Sequence, residues 1–353
     1  MTELICRLSG NQEPQYFRGD SGFFPVGMEL EFEGQFSPTP GVSGWRTTDD
    51  GSLRNGGIEY LSYRPVASRE RSVHNLRNLY LYVQDAGLQV NIRTAMHIHV
   101  NMQDLSPAQV RSILLAYCLV EPAMFSYVGR SRDINPYCIP WYAAPQTAVR
   151  ALSGLWYMEN HADNGTYMAR QRLNRTNKYS ALFPGPMSSF GSIEFRQLLT
   201  PSSAEEAVEW LDIVQATCSL GVERDYAELV LTEDIDELAL DAAALVGLSG
   251  HESSYQEVDS CAAIYPCLPW LGRPVPEDKW VMVYTETSGS PNQEGDPPRR
   301  HASLEAYMRR SAEFATIRQP PAGNPQHAWI EEEEIFEDGE EDDDEWYSEE
   351  ERI

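Results

Sequence analysis

From residue 26 to 33 apolar and acidic positions alternate, with Met28, Leu30 and Phe32 interleaved with Glu29, Glu31 and Glu33. An extended chain points successive side chains to opposite faces, so the pattern predicts a strand with an apolar back and a row of carboxylates in front. Shorter runs repeat it. Gly57-Ile58-Glu59-Tyr60-Leu61 and Ser192-Ile193-Glu194-Phe195-Arg196 read as strands over about 57–63 and 191–199, and a run over about 88–102 carries His97-Ile98-His99.

Between these runs the apolar period lengthens to that of a helix. Val73, Leu76, Leu79, Tyr80 and Val83 share one face over 72–86. Ser106-Pro107 reads as an N-cap followed by proline at the first helical position, with apolar residues continuing toward Phe125. Ser203-Ala-Glu-Glu206 reads as a capping box opening a helix through Val208, Leu211, Val214 and Cys218. Strands bearing polar chemistry, with helices between them to cover the reverse face, predict an α+β layer fold.

Further along, about 226–270 reads as more helix, with an irregular proline-rich stretch at Cys267–Pro276. A short strand at Trp280–Tyr284, a loop over 288–298 and a last helix at Ser303–Phe314 follow. The organisation expected is a core over 1–225, an extension of the same domain over 226–314, a proline-containing linker over 315–330 and a disordered acidic tail over 331–353.

Composition supports a globular core, with 42% hydrophobic and 10% aromatic residues in 353. The formal charge of −27 and the lack of a basic stripe argue against nucleic acid as a partner. The tail, with 15 Asp and Glu and one Arg, supplies about half of that charge. Its Ile335, Phe336, Trp346 and Tyr347 are candidate anchors for a basic protein partner. No apolar run approaches the roughly 18–20 residues of a membrane span, and Met1–Arg7 lacks a signal-like core, so a soluble, cytoplasmic protein without membrane contact is expected. Cys6, Cys118, Cys138, Cys218, Cys261 and Cys267 are scattered without CxxC pairs and read as reduced thiols.

The acids change the picture most. Carboxylates gathered on one sheet face repel one another and lose hydration, a cost that a cation relieves. With His97 and His99 added, the set reads as a metal and nucleotide site. The plain alternatives are a solvated strand face for Glu29 and Glu31, a structural ion pair for Glu194 and Arg196, and a simple turn at Asp50-Gly51-Ser52. Arg170, Arg172, Arg175 and Lys178 read equally as an anion funnel or as intramolecular pairing. No serine or cysteine has a triad-like setting.

Taken in order, GMELEFEG, DDGSLRNGGIEYLS, MHIHVN, NKYSALF and GSIEFRQLLTPSS resemble the amidoligase family over about residues 24–215. The family is a branch of the carboxylate–amine ligases with the glutamine synthetase and glutamate–cysteine ligase fold. The resemblance implies an antiparallel sheet forming an open funnel, with ATP and two or three Mg2+ ions, for which Mn2+ can substitute. It implies an amide or peptide bond made through an acyl phosphate, from amino-acid or peptide substrates carrying a carboxylate and an amine. By position it implies Glu31, Glu59 and Asp50 on one ion, and Glu29, His97 and Glu194 on another. His99, Lys178 and Arg196 would be nucleotide phosphate contacts, with Glu31 and Arg196 catalytic. Ala95 stands where the synthetases carry glycine. The alternatives are a phosphotransferase of the related guanidino-kinase type and a non-catalytic binding or assembly protein that keeps the fold.

Overall fold

In the computed structural model, residues 4–271 are described, apart from 20–21, 35–40, 52, 55–56, 130–131, 133–134, 136 and 252–262. The expected strand at 280–284, loop at 288–298, helix at 303–314, linker and acidic tail, together with Cys261, lie outside the described residues.

Mixed helix and sheet are present as expected. Six antiparallel strands form one open sheet: β1 (Val26–Phe32), β2 (Trp45–Thr48), β3 (Ile58–Ser62), β4 (Met96–Asn101), β5 (Leu182–Phe183) and β6 (Ser192–Phe195), in the spatial order β2-β3-β1-β4-β6-β5. The described helices are α1 (Arg69–Ala86), α2 (Pro107–Val128), α3 (Gln146–Asn160), α4 (Gly165–Asn174), α5 (Ala204–Glu223), α6 (Tyr226–Thr232) and α7 (Ile235–Leu245).

Alternation dictates what each face of the sheet does. Met28, Leu30, Phe32, Tyr60, Met96, Ile98, Val100, Ile193 and Phe195 are buried on the reverse face. The helices seal it: Tyr80 of α1 packs edge-on against Phe32, and Tyr117 of α2 against Phe195. Each large apolar side chain withdrawn from water in this way contributes about 1.5–3 kcal/mol. From α5, Gln215 reaches back to Phe24, accepting from its N–H at 2.9 Å and donating to its carbonyl at 3.0 Å. It thereby replaces a missing strand partner.

Several expectations need correction. The strand expected over 88–102 is confined to Met96–Asn101. Before it the chain turns at Asn91, whose Oδ1 accepts from Arg93 N and whose own N–H donates to Thr94 Oγ1. Such local side-chain bonds compete with a ladder. The Ser106 cap is a full capping box with Gln109. At α5 only half a box forms: Ser203 Oγ caps Glu206 N, but the Glu206 carboxylate accepts from Ser202 instead. The expectation that no apolar run could span a membrane does not hold for α2, which is long and apolar enough by length and composition. It is largely buried, against α3, α5, α6 and α7, and is apolar all round because it has neighbours all round. Helices α3 and α4, and strand β2, were not expected.

Candidate functional site

The polar face of the sheet is assembled by register. Glu31 lies opposite Glu59, Glu29 opposite His97, and His99 opposite Glu194, so these side chains project to one side across the strand order β3-β1-β4-β6. Two groups result. Glu31, Asp50 and Glu59 each offer an oxygen, and Glu29, His99 and Glu194 each offer a ligand atom; within each group these atoms lie within 4.8 Å of one another. Glu31 and Glu194 are buried, while Glu29, Asp50, Glu59 and His99 remain partly open to solvent.

One backbone amide and one side-chain hydroxyl hold Glu31 in place. Ala95 N donates to Glu31 Oε2 at 2.8 Å, and Thr200 Oγ1 donates to the Glu31 carbonyl at 2.8 Å. Ala95, the departure from the glycine of the synthetases, thus anchors the carboxylate through an amide that any residue but proline supplies.

Charge is unevenly distributed over the face. Burial raises Glu59, and Glu29, Glu31 and Asp50 add to it, pushing the carboxyl up to about 8. Burial likewise raises Glu31, against the opposing pull of His97 and the Ala95 amide. Glu29 is held well below the usual carboxylate range: burial opposes its charge, but His99 and His97 outweigh it. For His99 burial disfavours the charged ring, yet Glu194 and Glu29 together raise it to about 9. A carboxyl such as Glu59 keeps a proton at neutral pH unless another cation takes its place. Carboxylate oxygens with one imidazole are donors that suit a hard divalent cation such as Mg2+ or Mn2+, so the residues present fit the ions the family implies.

Residues 64–210 match the family model described as "Putative amidoligase enzyme". That match supports the resemblance to the amidoligase family over this segment. The amidoligase match takes in His97, His99, Lys178, Glu194 and Arg196, and begins after Glu29, Glu31, Asp50 and Glu59, which the sheet register brings to the same face. No curated protein gave a significant match to the chain.

Other residues named from the sequence are placed differently. Arg196 Nη1 donates to Glu194 Oε1, so an ion pair forms at the end of β6, and Arg196 Nε is buried without an acceptor among the described residues. Lys178 lies over the Tyr179 ring at 5.3 Å and makes no described contact with the acids. Arg170 donates to the carbonyls of Leu8 and Arg7, and Arg172 donates to Ser153 Oγ and sits over Tyr157 and Trp270. These two are intramolecular braces. Glu33 leaves the acid row, since Arg93 grips both its oxygens and Asn91 Nδ2 and Arg54 N add further bonds.

Two participants in the site were not named from the sequence. Ser192 Oγ lies 3.4 Å from His99 Nδ1, and its place two residues before Glu194 on the same strand face was a usable signal. Arg132, almost fully buried, donates to the carbonyls of Gln197 and Arg196 just past the end of β6. No local pattern around Arg132 announces that role.

Proposed function

We propose that the chain is an ATP- and Mg2+-dependent carboxylate–amine ligase on a glutamine synthetase-like sheet. The observation that carries this reading is the pair of cation-suited groups meeting on β1, one through Glu29 and one through Glu31, in a chain whose residues 64–210 match an amidoligase family model. Glu31, Asp50 and Glu59 would hold one ion, and Glu29 and Glu194 with the histidine pair a second. Bound there, Mg2+ would neutralise charge on the phosphoryl group in transfer.

The protein's own groups do the positioning. The Ala95 amide fixes the Glu31 carboxylate, Glu194 orients Arg196, and the remaining donors of that guanidinium suit a phosphate or acyl phosphate. In the reaction so read, a substrate carboxylate oxygen takes the γ-phosphoryl group of ATP and releases ADP; an amine then forms the C–N bond and displaces phosphate. The test is ATP turnover by the purified protein with a panel of amino acids and peptides, following ADP and new amide mass. Turnover requiring both a carboxylate and an amine, abolished in Glu31→Gln while thermal unfolding stays cooperative, is expected. Full activity in Glu31→Gln would refute the metal assignment, and a phosphorylated product without an amide would favour the phosphotransferase reading.

A further inference from the structure

Trp156 and Tyr157 are neighbours near the end of α3, and His161 follows one turn after Tyr157. Gly165 lets α4 start hard against them, since a Cβ there would fall 2.3 Å from the Tyr157 carbonyl oxygen. The return of the chain brings Arg172 of α4 over the Tyr157 ring at 4.9 Å and over the Trp270 ring at 5.4 Å. Trp270 belongs to the short helical turn Tyr265–Leu271, and its ring lies 5.9 Å from that of Trp156 and 6.0 Å from that of Tyr157. The His161 ring stands 5.0 Å from Tyr157. Four aromatic rings and a guanidinium therefore form one cluster.

What distinguishes this cluster from an ordinary aromatic core is its polar atoms. Tyr157 and Trp270 are only 1% and 2% exposed, yet Tyr157 Oη, Trp270 Nε1, His161 Nδ1 and Arg172 Nε are all buried without a hydrogen-bond partner among the described residues. A polar atom withdrawn from water and left unpaired loses its hydration for nothing, which is why folded proteins pair nearly all of them. Indole and guanidinium nitrogens can only donate, and a phenol can donate too, so the set calls for an oxygen acceptor. Charge narrows the choice. Arg172 gives Nη1 to the neutral Ser153 hydroxyl at 3.2 Å and pairs with no carboxylate among the described residues. One guanidinium beside neutral donors balances a single negative charge, which is that of a carboxylate.

We infer that this cluster is a carboxylate-binding site and that its occupant is the acidic C-terminal segment 331–353 of the same chain. The charges are complementary, because that segment carries 15 Asp and Glu against one Arg. Its Glu345 is followed by Trp346 and Tyr347, whose rings suit an aromatic wall. Position agrees as well. Trp270 comes one residue before Leu271, so the chain beyond 271 departs from the site itself, and 272–330 is long enough to bring the segment back to it. A tethered ligand acts at an effective concentration far above that of the protein, so a few contacts hold it. None of these residues lies on the acid face of the sheet, and the site stands or falls apart from the ligase reading. An address within the chain replaces the separate basic protein expected for these acids from the sequence.

Full-length protein carrying 15N-labelled tryptophan reports on the site through the Trp270 indole N–H, assigned by its loss in Trp270→Phe. The comparison is with a chain in which every Asp and Glu of 331–353 is replaced by Asn or Gln, changes that alter no residue of the cluster. In that neutral-tail chain the Trp270 indole signal is expected to shift and to exchange faster with water, and a synthetic peptide of residues 331–353 is expected to restore the wild-type signal. With Arg172→Gln added, the peptide should bind about 10–100-fold more weakly, as loss of a hydrogen bond to a charged group does. Arg172→Lys, which keeps the charge but not the fork, should fall between. Cooperative thermal unfolding checks that both variants are folded. A Trp270 signal that is the same in the wild type and the neutral-tail chain would overturn the proposal, leaving the four polar atoms to water or to a separate ligand. Peptide binding equally strong with and without Arg172 would also overturn it, because the guanidinium would then have no part in holding the carboxylate.

Discussion

Glu33 and Glu121 are buried and Glu59 is partly buried, and what stands around each carboxyl makes them different acids. Glu33 is gripped by Arg93, and despite partial desolvation its pKa falls to about 2. Glu59 has carboxylates for neighbours and rises to about 8. Glu121, in the middle of α2, is fully buried; it accepts from Tyr117 Oη and from the N–H groups of Trp141 and Tyr142, at 2.8 and 3.0 Å, and burial lifts it to about 7 against those bonds. The sign of its effect follows from linkage. Between the ordinary value of 4.5 and about 7 the folded protein holds a proton that the unfolded chain has lost, so this group makes stability fall as pH rises through that window. The full effect is about 3 kcal/mol. Thermal unfolding at pH 5, 6 and 7 should show a decline in the wild type that is clearly shallower in Glu121→Gln; an unchanged slope would place the titration elsewhere. Glu33 has the opposite sign, its contribution being present above 4.5 and lost as pH falls toward about 2. Sequence alternation grouped Glu33 with Glu29 and Glu31 correctly as to side. It could not reveal Arg93, because that partner arrives sixty residues later through the turn at Asn91.

At the scale of elements, what could be read was whatever has a strong period or a chemical start signal. The helices capped by Ser106 and Ser203 and the strands carrying Glu29, Glu59 and Glu194 all form close to where their patterns place them. The unexpected α3 and α4 are identified less by pattern than by mutual packing: a Cβ on Gly154 would come within 3.4 Å of the Ala169 carbonyl, so small residues let the two helices approach. Four-residue β2 has no acid row and exposes Arg46 and Thr47, leaving little alternation to detect. A tighter approach joins α2 and α5, where a Cβ on Gly221 would lie 2.3 Å from Ile113 Cα. That atom is backbone and cannot swing aside. Gly221→Ala is therefore expected to destabilise the fold by about 1–3 kcal/mol or more, although alanine favours helix over glycine by nearly 1 kcal/mol. Chemical denaturation would measure it, and a neutral or stabilising outcome would mean that the two helices can separate at little cost.

For the whole molecule, the division of the sheet into an apolar face sealed by helices and a polar face crowded with acids sets how the protein should respond to divalent ions. Glu29, Glu31, Asp50, Glu59 and Glu194 share a face with Arg196 and two histidines. In the absence of a bound ion, Glu59 meets that imbalance by keeping a proton. The unfolded chain spreads the same carboxylates through water, so an ion that needs several of them at once binds the folded state preferentially. An ion present at a hundred times its dissociation constant then stabilises by about 2.7 kcal/mol, and in a chain of this size each kcal/mol moves the melting temperature by about 2–4 °C. Mg2+ or Mn2+ is thus expected to raise Tm by several degrees, more at pH 8 than at pH 6, since protons compete for Glu59 at the lower pH. Sodium chloride at equal ionic strength separates this from screening, which requires no particular site. Glu59→Gln should lose much of the rise without lowering Tm in metal-free buffer at pH 6, because there it replaces a carboxyl that is already protonated. An equal rise in the wild type, in Glu59→Gln and with sodium chloride alone would show that the acid face is screened like any charged surface.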